Sequence, residues 1–579
     1  MPFDGLVLRA VCSELRESIK GGRIERIYQP GDKEILLSVR TRGDVYRLVM
    51  SADERLARCH ITSEKYENPP TPPAFCTILR KYLEGGRVTS IEQPGFERII
   101  TLGVSARDEL GNLLELNLVG EFMGKHSNIL LVKVGEGIIL DGIKRYTHAV
   151  SRHREVLPGS KYIVPPRDKK NVLEVNPEEF PQYLLDAPFD SPVSRVLQKR
   201  FDGLSGFMAR EVVFRAGLSQ DLTVEFCGEL EMRLIWEKLR GLFHEAVEGQ
   251  FDPQLLYNAD GVPFEYAAFT VSHLSYAKSV KGSMNDVLDA FFSFHRYASR
   301  VHIAKKAVLE KVKRERKRIE KRLANCRKDM HDMSKASEYR RKGELLMANL
   351  YRVSKGMKQV ILDDFYSGER LAVDLDPSLS PSQNAQRYFK KYQKLKTAAD
   401  RAAAAEEKLS NDLAYLEGVE TSLEMAESLT DITEIHEELA SEGYLKQVSP
   451  NPKKRHQEHP RPLYFQSSDG YDIFVGRNNR QNDYVTFRVA KGEDLWLHAR
   501  DIPGAHVIIK SSGQVPQRTI EEAASLAAYY SRARNSDKVP VDYTLRKYVR
   551  KPRGAKPGFV IYSEEKNLLV KPRRSIGSG

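Results

Sequence analysis

The sequence predicts a multidomain α+β protein that carries a long antiparallel coiled-coil hairpin. Its 579 residues exceed what a single hydrophobic core accommodates, so several domains are expected. Short apolar runs separated by turn residues fill the first part of the chain, as in an antiparallel sheet. Apolar residues then recur in steps of three and four over 309–333 and over 409–423, a pattern typical of paired helices. A compact α+β segment follows.

The composition favours a polyanionic partner. Lys and Arg number 91 against 79 Asp and Glu, which gives a formal net charge of +12. The five cysteines lack C-x-x-C spacing, which argues against a disulfide framework or a zinc site and favours a reducing cytoplasm. The first residues lack the basic region and apolar run of a signal peptide. No apolar run approaches the roughly 20 residues of a membrane-spanning helix, so a cytoplasmic protein without membrane contact is predicted.

Residues 1–172 are predicted to form an α+β domain. A helix near 5–20 ends at a double glycine, three strands follow, and a second helix also ends at a double glycine, as helices often do. Further strand-like runs then form a meander. The stretch "IEQPGFERII" (91–100) joins two of these runs by turn chemistry, and Glu97 and Arg98 lie between the turn and the next strand. From the residues alone, this pair is either a solvated strand entrance or a site.

Residues 173–296 read as mostly helical. They contain "FDGLSGFMAREVVFRAGL", in which Gly203-Leu204-Ser205-Gly206 forms a tight hairpin between two short helices. This arrangement resembles a helix-hairpin-helix unit, whose backbone N–H groups bind phosphate without reading bases. Gly203 and Gly206 are therefore candidate RNA contacts. An ordinary packing corner between two helices explains the pattern equally well.

Residues 297–445 are predicted to form a helical hairpin with a small insertion at its tip, about 353–381. The segment 305–328 holds 12 basic and 3 acidic residues, whereas 406–442 holds 12 acidic residues and one basic residue, Lys408. In an antiparallel hairpin these two segments lie side by side. We therefore expect them to neutralise each other along the flanks of the coiled coil.

Basic residues also dominate the outer half of both arms. Because basic residues face basic residues there, we expect nothing within the hairpin to compensate them, which makes this end the better nucleic-acid candidate. The residues concerned are Arg340, Arg341, Lys342, Arg352, Lys355 and Lys358 in the first arm, and Arg387, Lys390, Lys391, Lys394 and Lys396 in the second. The predicted RNA or ribosome contacts among them are Arg352, Lys355, Lys358, Lys390 and Lys391.

A polar, proline-containing linker over 446–460 precedes a compact α+β domain over 461–575. Its segment 546–574 holds 10 basic and 2 acidic residues with three aromatic residues among them. Cations for phosphates and aromatic rings for stacking are what an RNA-binding surface needs. The alternative is a basic edge strand that guards against aggregation. The predicted RNA contacts here are Arg550, Lys551 and Lys556.

The sequence gives little support for an enzyme. It lacks the spacing of a P-loop, a nucleophile elbow or a zinc protease, so no catalytic residue, metal or cofactor is predicted. One enzymatic alternative is a DNA-repair glycosylase, in which Pro2 would supply an N-terminal secondary amine as nucleophile. The formamidopyrimidine-DNA glycosylases place a glutamate after that proline, where this chain has Phe3. They also carry a zinc finger that these cysteines could not build.

Eight motifs occur in an order that resembles the NFACT family, and within it the bacterial RqcH-type members related to eukaryotic NEMF. The resemblance covers essentially the whole chain. It implies an NFACT-N domain with a glycosylase-like fold, a helix-hairpin-helix domain, a coiled coil and an NFACT-R domain. The motifs are "FDGLVLRAV", "PPAFCTILRKYLEGG", "GEFMGKHSNILLV", "DGLSGFMAREV", "ELLMANLY", "DPSLSPSQNAQRYFKKYQKLK", "DLWLHARDIPGAHVII" and "KPRGAKPGFVIY".

The resemblance also implies a function in ribosome-associated quality control. Members bind obstructed large ribosomal subunits that carry peptidyl-tRNA, recruit alanyl-tRNA, and promote untemplated C-terminal alanine tailing that marks the nascent chain for degradation. The expected partners are the large subunit, its rRNA, tRNA and the nascent chain, with the protein acting as a monomer. The ribosome would make the peptide bonds, so no enzyme activity is expected. A fibronectin-binding adhesin, after an older name of the family, is a further alternative.

The resemblance assigns a tRNA-recruiting face to the N-terminal domain. Its residues would be Asp4 of "FDG" and the Glu97–Arg98 pair, where the family typically has aspartate first. We predict that Arg98 is the more critical member and that Glu97→Asp is tolerated. The motif "EFMGKHSN" is expected to line the same domain, and the coiled-coil tip to reach ribosomal elements. The motif's candidate residues are Glu121, Lys125, His126 and Asn128.

Overall fold

A computed structural model describes residues 3–108, 110–147, 154–166, 168–446, 461–511 and 513–574. It divides into two compact units, Met1–Tyr297 (unit 1) and Ala298–Gly579 (unit 2). Both units combine helices with antiparallel sheets, so the predicted multidomain α+β class is confirmed. Within the described ranges, no helix is both long enough and apolar enough to cross a membrane. In the same ranges, no group of three or more His, Cys, Asp or Glu side chains is arranged to hold a metal ion.

Unit 1 is built on a nine-stranded antiparallel sheet with the order β4-β3-β2-β1-β5-β6-β7-β8-β9. The predicted helices and strands are all present, and one short strand, β4, was not predicted. The helices are α1 (Gly5–Ser18) and α2 (Ala74–Leu83), and the strands are β1 (Arg23–Gly31), β2 (Glu34–Arg40), β3 (Val45–Ser51), β4 (Arg58–Ile61), β5 (Arg87–Glu92), β6 (Ile99–Arg107), β7 (Leu113–Glu121), β8 (Asn128–Lys133) and β9 (Ile138–Gly142).

The remainder of unit 1 adds four helices and a small sheet that the sequence did not predict. Apolar side chains of this part join those of the large sheet in one continuous core, for example where Phe96 meets Phe243 edge-to-face at 4.6 Å between ring centroids. The elements are α3 (Phe180–Leu185), α4 (Val193–Arg200), α5 (Gly206–Arg215) and α6 (Glu229–Glu248), with β10 (Gln254–Tyr257), β11 (Pro263–Ala267) and β12 (Lys278–Lys281) in the order β11-β10-β12.

A helical hairpin dominates the first half of unit 2. Helix α7 (Met284–His331) and helix α8 (Met333–Ala348) form one arm, and α9 (Pro381–Met425) returns as the other. The predicted tip insertion contains a β-hairpin, β13 (Gln359–Asp363) and β14 (Arg370–Asp374). Ser380 opens the return helix with a capping box, and Pro381 lies in its first turn. Helix α10 (Leu429–Ser441) follows.

The predicted neutralisation between the two arms is observed. Arg316 on α7 pairs with Glu420 on α9 at 2.8 Å, and Arg327 pairs with Glu406 at 2.9 Å. The partner numbers fall along α9 as they rise along α7, which is the register of an antiparallel pair. The Arg327–Glu406 contact lies at the surface and stabilises the hairpin only modestly, whereas the Arg316–Glu420 contact is partly buried.

The expectation that nothing compensates the distal basic residues is wrong for five of them. Their carboxylate partners lie in the tip segment or one turn away on the same helix. A comparison of the two arms alone does not include these positions. The pairs are Arg340–Glu344, Arg341–Asp364, Lys342–Glu338, Arg352–Asp363 and Arg387–Asp376. Within the part of the chain that the structure describes, no carboxylate oxygen lies within 4.0 Å of the amines of Lys355, Lys358, Lys390, Lys394 and Lys396.

The C-terminal part of unit 2 packs one helix against a six-stranded antiparallel sheet, as the sequence predicted. The strand order is β15-β16-β18-β17-β19-β22, and two short strands pair separately. The elements are α11 (Asn479–Tyr484), α12 (Gln517–Tyr529), β15 (Leu463–Gln466), β16 (Asp472–Val475), β17 (Leu495–Ala499), β18 (Val507–Ile509), β19 (Val539–Leu545), β20 (Val549–Arg550), β21 (Ile561–Tyr562) and β22 (Lys566–Val570).

Candidate nucleic-acid interface

A cavity of about 240 Å³ in unit 1 brings together three segments that are distant in sequence. They are the start of α1, the turn before β6, and the hairpin between α4 and α5. Of the sequence-predicted residues, Asp4, Glu97, Arg98 and Gly203 line this cavity. It also gathers residues that sequence reasoning did not select, among them Met123, Asp168, Lys169, Gln198, Asp202 and Ser205.

Asp4 joins two helix starts. Its Oδ1 accepts from the Val7 backbone N–H at 3.0 Å, which caps α1, and its Oδ2 accepts from the Ser205 hydroxyl at 2.6 Å. Ser205 is itself the cap of α5. Burial raises the pKa of Asp4, and the hydrogen bonds from Ser205 and Val7 counteract that rise. Both carboxylate oxygens are thus used inside the protein, and Asp4 fixes the cavity wall.

The same junction requires glycine on both sides. The Gly5 N–H donates to the Gly203 carbonyl oxygen at 3.1 Å. A Cβ on Gly5 would lie 1.8 Å from the Phe96 carbonyl oxygen, and one on Gly203, whose φ is +79°, would lie 2.8 Å from the Phe96 Cβ. The "DG" pairs of the two motifs therefore serve a close backbone contact.

Among the described residues that line the cavity, Arg98 and Lys169 are the cations, and Asp4, Glu97, Asp168 and Asp202 are the carboxylates. Arg98 is half-buried, and burial lowers its pKa while the negative charges of Asp4 and Glu97 raise it. Burial also lowers the pKa of Lys169, and the positive charge of Arg98 lowers it further. Lys169 donates to the Gln198 carbonyl oxygen at 2.6 Å, which holds it in place. A planar guanidinium beside a second cation suits a phosphate or a base edge.

The turn that carries Glu97 and Arg98 is held from within. The Gln93 amide donates to the carbonyl oxygens of Gly5 and Glu97, both at 2.8 Å. The Arg98 carbonyl oxygen accepts from the Phe122 N–H at 2.8 Å. Gln93 is almost fully buried. Sequence reasoning assigned Gln93 only to turn chemistry, because its partner on α1 is remote in the chain.

The "EFMGKHSN" motif divides into internal and exposed residues. Glu121 is 0% exposed; its carboxylate pairs with both Nη atoms of Arg154 and accepts from the Tyr162 hydroxyl. Asn128 is equally buried and binds the backbone N–H and carbonyl of Lys144, each at 3.0 Å. The exposed members, Lys125 and His126, lie on the short turn that follows the cavity residue Met123.

A buried carboxylate fixes helix α5 behind its hairpin. Glu211 accepts from the His273 ring at 2.6 Å, from the Ser272 hydroxyl at 2.6 Å and from Arg215 at 2.8 Å. Burial alone raises the pKa of Glu211, but these hydrogen bonds outweigh it and hold the pKa well below its ordinary value. Ionised Glu211 therefore stabilises the segment that positions Ser205.

We predict that acid destabilises unit 1 partly through Glu211. Because the folded pKa lies below the unfolded value of about 4.3, the stabilisation is complete above that value and is lost as the pH falls through the folded pKa. Melting temperatures measured between about pH 3 and 7 should show a lower value for Glu211→Gln at neutral pH and a shallower decline on acidification. Parallel curves for the two proteins would contradict this assignment.

In unit 2 the acidic run of α10 contacts the domain that follows the linker. Arg477 pairs with Asp431 at 2.8 Å, and the amides of the next residues bind Glu434 and Glu438. The sequence interpretation paired this acidic run with the first arm alone, which is wrong for α10. The signal was available in the spacing, since acids at 431, 434 and 438 fall on one face of α10.

The predicted C-terminal RNA contacts also divide into paired and exposed residues. Lys556 pairs with Glu442 at 2.9 Å and Asp412 at 3.7 Å, and its amine lies 5.0 Å from the ring centroid of Tyr444. Lys551 forms an ion pair with Asp483. In contrast, the side chains of Arg550 and Arg553 are exposed, and in the described ranges neither has a carboxylate oxygen within 4.0 Å.

Comparison with known proteins identifies the family. The model of the NFACT N-terminal and middle domains matches residues 4–458, and that of the NFACT protein RNA binding domain matches 461–563. The chain is 37% identical to the Rqc2 homolog RqcH of Bacillus subtilis over 99% of this chain and 98% of that protein. Identity to the Rqc2 homolog RqcH of Streptococcus suis is also 37%, with the same coverage.

Solved structures of related proteins cover parts of the chain. The N-terminal structure of the fibronectin/fibrinogen-binding protein from Streptococcus suis is 31% identical and covers 50% of this chain and 99% of that one, with a TM-score of 0.42. The family models together span nearly all of the residues, and the bacterial relatives match over their full length. The chain therefore belongs to the NFACT family.

Proposed function

We propose that this protein is a ribosome-associated quality control factor. It binds obstructed large ribosomal subunits that carry peptidyl-tRNA, recruits alanyl-tRNA, and promotes untemplated alanine tailing of the stalled chain for degradation in the cytoplasm. The observation that carries the proposal is the 37% identity to Rqc2 homologs along 99% of the chain. The protein acts as a monomeric tRNA-delivering factor without a cofactor, and the ribosome forms the peptide bonds.

We propose that the unit 1 cavity is the tRNA-contacting face. Arg98 and Lys169 supply positive charge among the lining carboxylates, and the exposed Lys125 extends it along the adjacent turn, next to His126. Asp4, Glu121 and Asn128 act by holding the backbone that presents these side chains, because their polar atoms are bonded within the protein.

The domain division that we propose follows the family. It comprises a glycosylase-like NFACT-N domain over 1–172, a helix-hairpin-helix domain over 173–296, the coiled-coil hairpin over 297–445, a linker over 446–460 and NFACT-R over 461–575. In the second of these, the hairpin around Gly203 and Gly206 serves mainly to anchor α1, because its backbone packs against Gly5 and Phe96.

Two basic surfaces of unit 2 are proposed to contact ribosomal RNA. The first is the tip of the hairpin, where exposed lysines surround exposed aromatic rings such as Tyr351 and Phe365. The second is the edge of the RNA-binding domain at Arg550 and Arg553. The tip lysines are Lys355, Lys358, Lys390 and Lys391, with Arg352 beside them in its ion pair to Asp363.

The salt dependence of RNA binding should separate exposed from paired cations. RNA binding weakens as the salt concentration rises, and each phosphate contact makes the slope of log K against log salt steeper by about one. We expect Arg550→Ala to reduce that slope by about one, whereas Lys556→Ala leaves it unchanged and lowers the melting temperature, because Lys556 bonds within unit 2. Equal slopes for the wild type and Arg550→Ala would remove Arg550 from the RNA surface.

The function itself is tested by mass spectrometry of a stalled reporter chain. Cells that lack this protein should produce the reporter without C-terminal alanine, and the wild-type gene should restore the tails. Alanine tails that persist without the protein would contradict the proposal.

A further inference from the structure

A second and larger cavity, of about 780 Å³, lies within unit 2. One wall is the middle of α9, and the opposite wall is the loop "KPRGAKPG" (551–558) with the neighbouring Phe559. The volume is in the range of sites that enclose small organic ligands. Small residues on both sides keep it open, and they are Ala404, Ala414, Gly418, Gly504, Ala555 and Gly558.

The loop wall is held rigidly against the domain beneath it. The Gly558 N–H donates to the Asp483 carboxylate at 3.1 Å, and a Cβ on Gly558 would lie 2.6 Å from the Asn479 amide oxygen. Lys556 ties the loop to Glu442 at 2.9 Å. These contacts set the width of the cavity, so it is a formed site and not a gap between loose segments.

The cavity combines the groups that recognise a nucleotide. Phe559 is 44% exposed and offers a ring for stacking. His498 lies in the lining, and burial lowers its pKa to about 4, so its neutral ring can bond a base edge without charge. The carboxylate of Glu407 can accept from base N–H groups.

Two unpaired cations accompany these groups. Lys408 and Arg553 line the cavity and are exposed. In the described part of the chain, no carboxylate oxygen lies within 4.0 Å of either side chain. A cation that is not used for an internal ion pair remains available for a phosphate. The cavity therefore contains an aromatic ring for stacking, groups that can hydrogen-bond to a base edge, and cations for a phosphate.

We infer that this cavity binds one unstacked nucleotide of a single-stranded RNA segment, with the base between α9 and Phe559 and its phosphate at Lys408 and Arg553. The inference extends the proposed function but does not depend on tailing or on tRNA recruitment. It would extend the RNA-binding surface to the middle of α9, beyond Lys390 and Lys391 near the start of that helix, which the sequence predicts as contacts.

The test fills the cavity without changing any charge. Ala414 lines the cavity on the exposed side of α9, and Ala403 is an exposed alanine of the same helix that does not line it. Calorimetric titration of the full chain with AMP, GMP, CMP and UMP, each alone, and with a single-stranded RNA heptamer compares the wild type with Ala414→Phe and Ala403→Phe. We expect at least tenfold weaker binding of the heptamer and of the preferred nucleotide by Ala414→Phe, and no change for Ala403→Phe.

Three outcomes would overturn the inference. The first is wild-type affinity of Ala414→Phe for the heptamer and the nucleotides. The second is no saturable binding of any nucleotide to the wild type. The third is loss of mononucleotide binding with unchanged heptamer binding, which would mark a site for free nucleotides. Equal melting temperatures of the two alanine variants ensure that a loss reports the cavity. If alanine tailing persisted in Ala414→Phe together with any of these outcomes, the cavity would not be a nucleotide-binding site. The proposed function would then still stand.

Discussion

Arg98→Ala is expected to weaken tRNA binding by about 10- to 100-fold, which corresponds to the 1–3 kcal/mol of a good bidentate contact, and to remove alanine tails from a stalled reporter. Arg98 is the only arginine among the described residues that line the unit 1 cavity. Its backbone carbonyl accepts from the Phe122 N–H, which holds the turn that presents the side chain to the cavity. Filter binding of tRNA and mass spectrometry of the reporter measure the two effects.

The matched control is Arg42→Ala, which removes the same charge from an exposed turn of unit 1. It should leave tRNA binding and tailing unchanged within a factor of about two. If Arg98→Ala produced tails of normal length, the Glu97–Arg98 pair would be a solvated strand entrance and not a tRNA-binding site.

Glu97→Asp tests how the longer carboxylate fits. We expect near-normal tailing, because aspartate keeps the charge that raises the pKa of Arg98 and shortens the side chain by one methylene. A loss as large as that of Arg98→Ala would show instead that the cavity is built around glutamate.

Glu121→Gln is expected to lower the free energy of unfolding of unit 1 by about 3 kcal/mol or more, because it removes one partner of a buried ion pair. Glu121 is 0% exposed and Arg154 is 7% exposed, so water cannot compensate the remaining cation. Urea titration followed by amide hydrogen exchange in β6, β7 and β8 isolates unit 1 and measures the loss.

The control for this variant is Glu136→Gln, whose partner Lys133 lies at 2.6 Å on the surface. That change should cost less than about 1 kcal/mol. If Glu121→Gln weakened tRNA binding without a loss of stability, Glu121 would be a direct contact and not the buried support that its position indicates.

Local patterns were sufficient to predict the strands and helices around the cavity. Apolar runs between turn residues identified most of the large sheet, and double glycines identified the ends of two helices, since each is a property of neighbouring residues. The short strands β10, β11 and β12 were missed because they lie in the segment 173–296, which the sequence interpretation treated as mostly helical.

The cavity required contacts that local spacing does not encode. Ser205 bonds Asp4 across 201 residues of sequence, and Lys169 joins Arg98 from a segment without a regular pattern. The family resemblance selected Asp4 and Arg98 but did not indicate that both carboxylate oxygens of Asp4 accept hydrogen bonds within the protein. Likewise, the acids of α10 were recognisable as one face, but their partner at 477–481 lies beyond the linker.

The most direct test of the proposed function is sucrose-gradient sedimentation of the tagged protein from cells with stalled translation, with sequencing of the RNA that sediments with it. The account predicts comigration with large ribosomal subunits and enrichment of tRNA that accepts alanine, and it predicts that Arg98→Ala keeps the subunit and loses the enriched tRNA. A protein that remains at the top of the gradient, or subunits without enriched tRNA in the wild type, would contradict it.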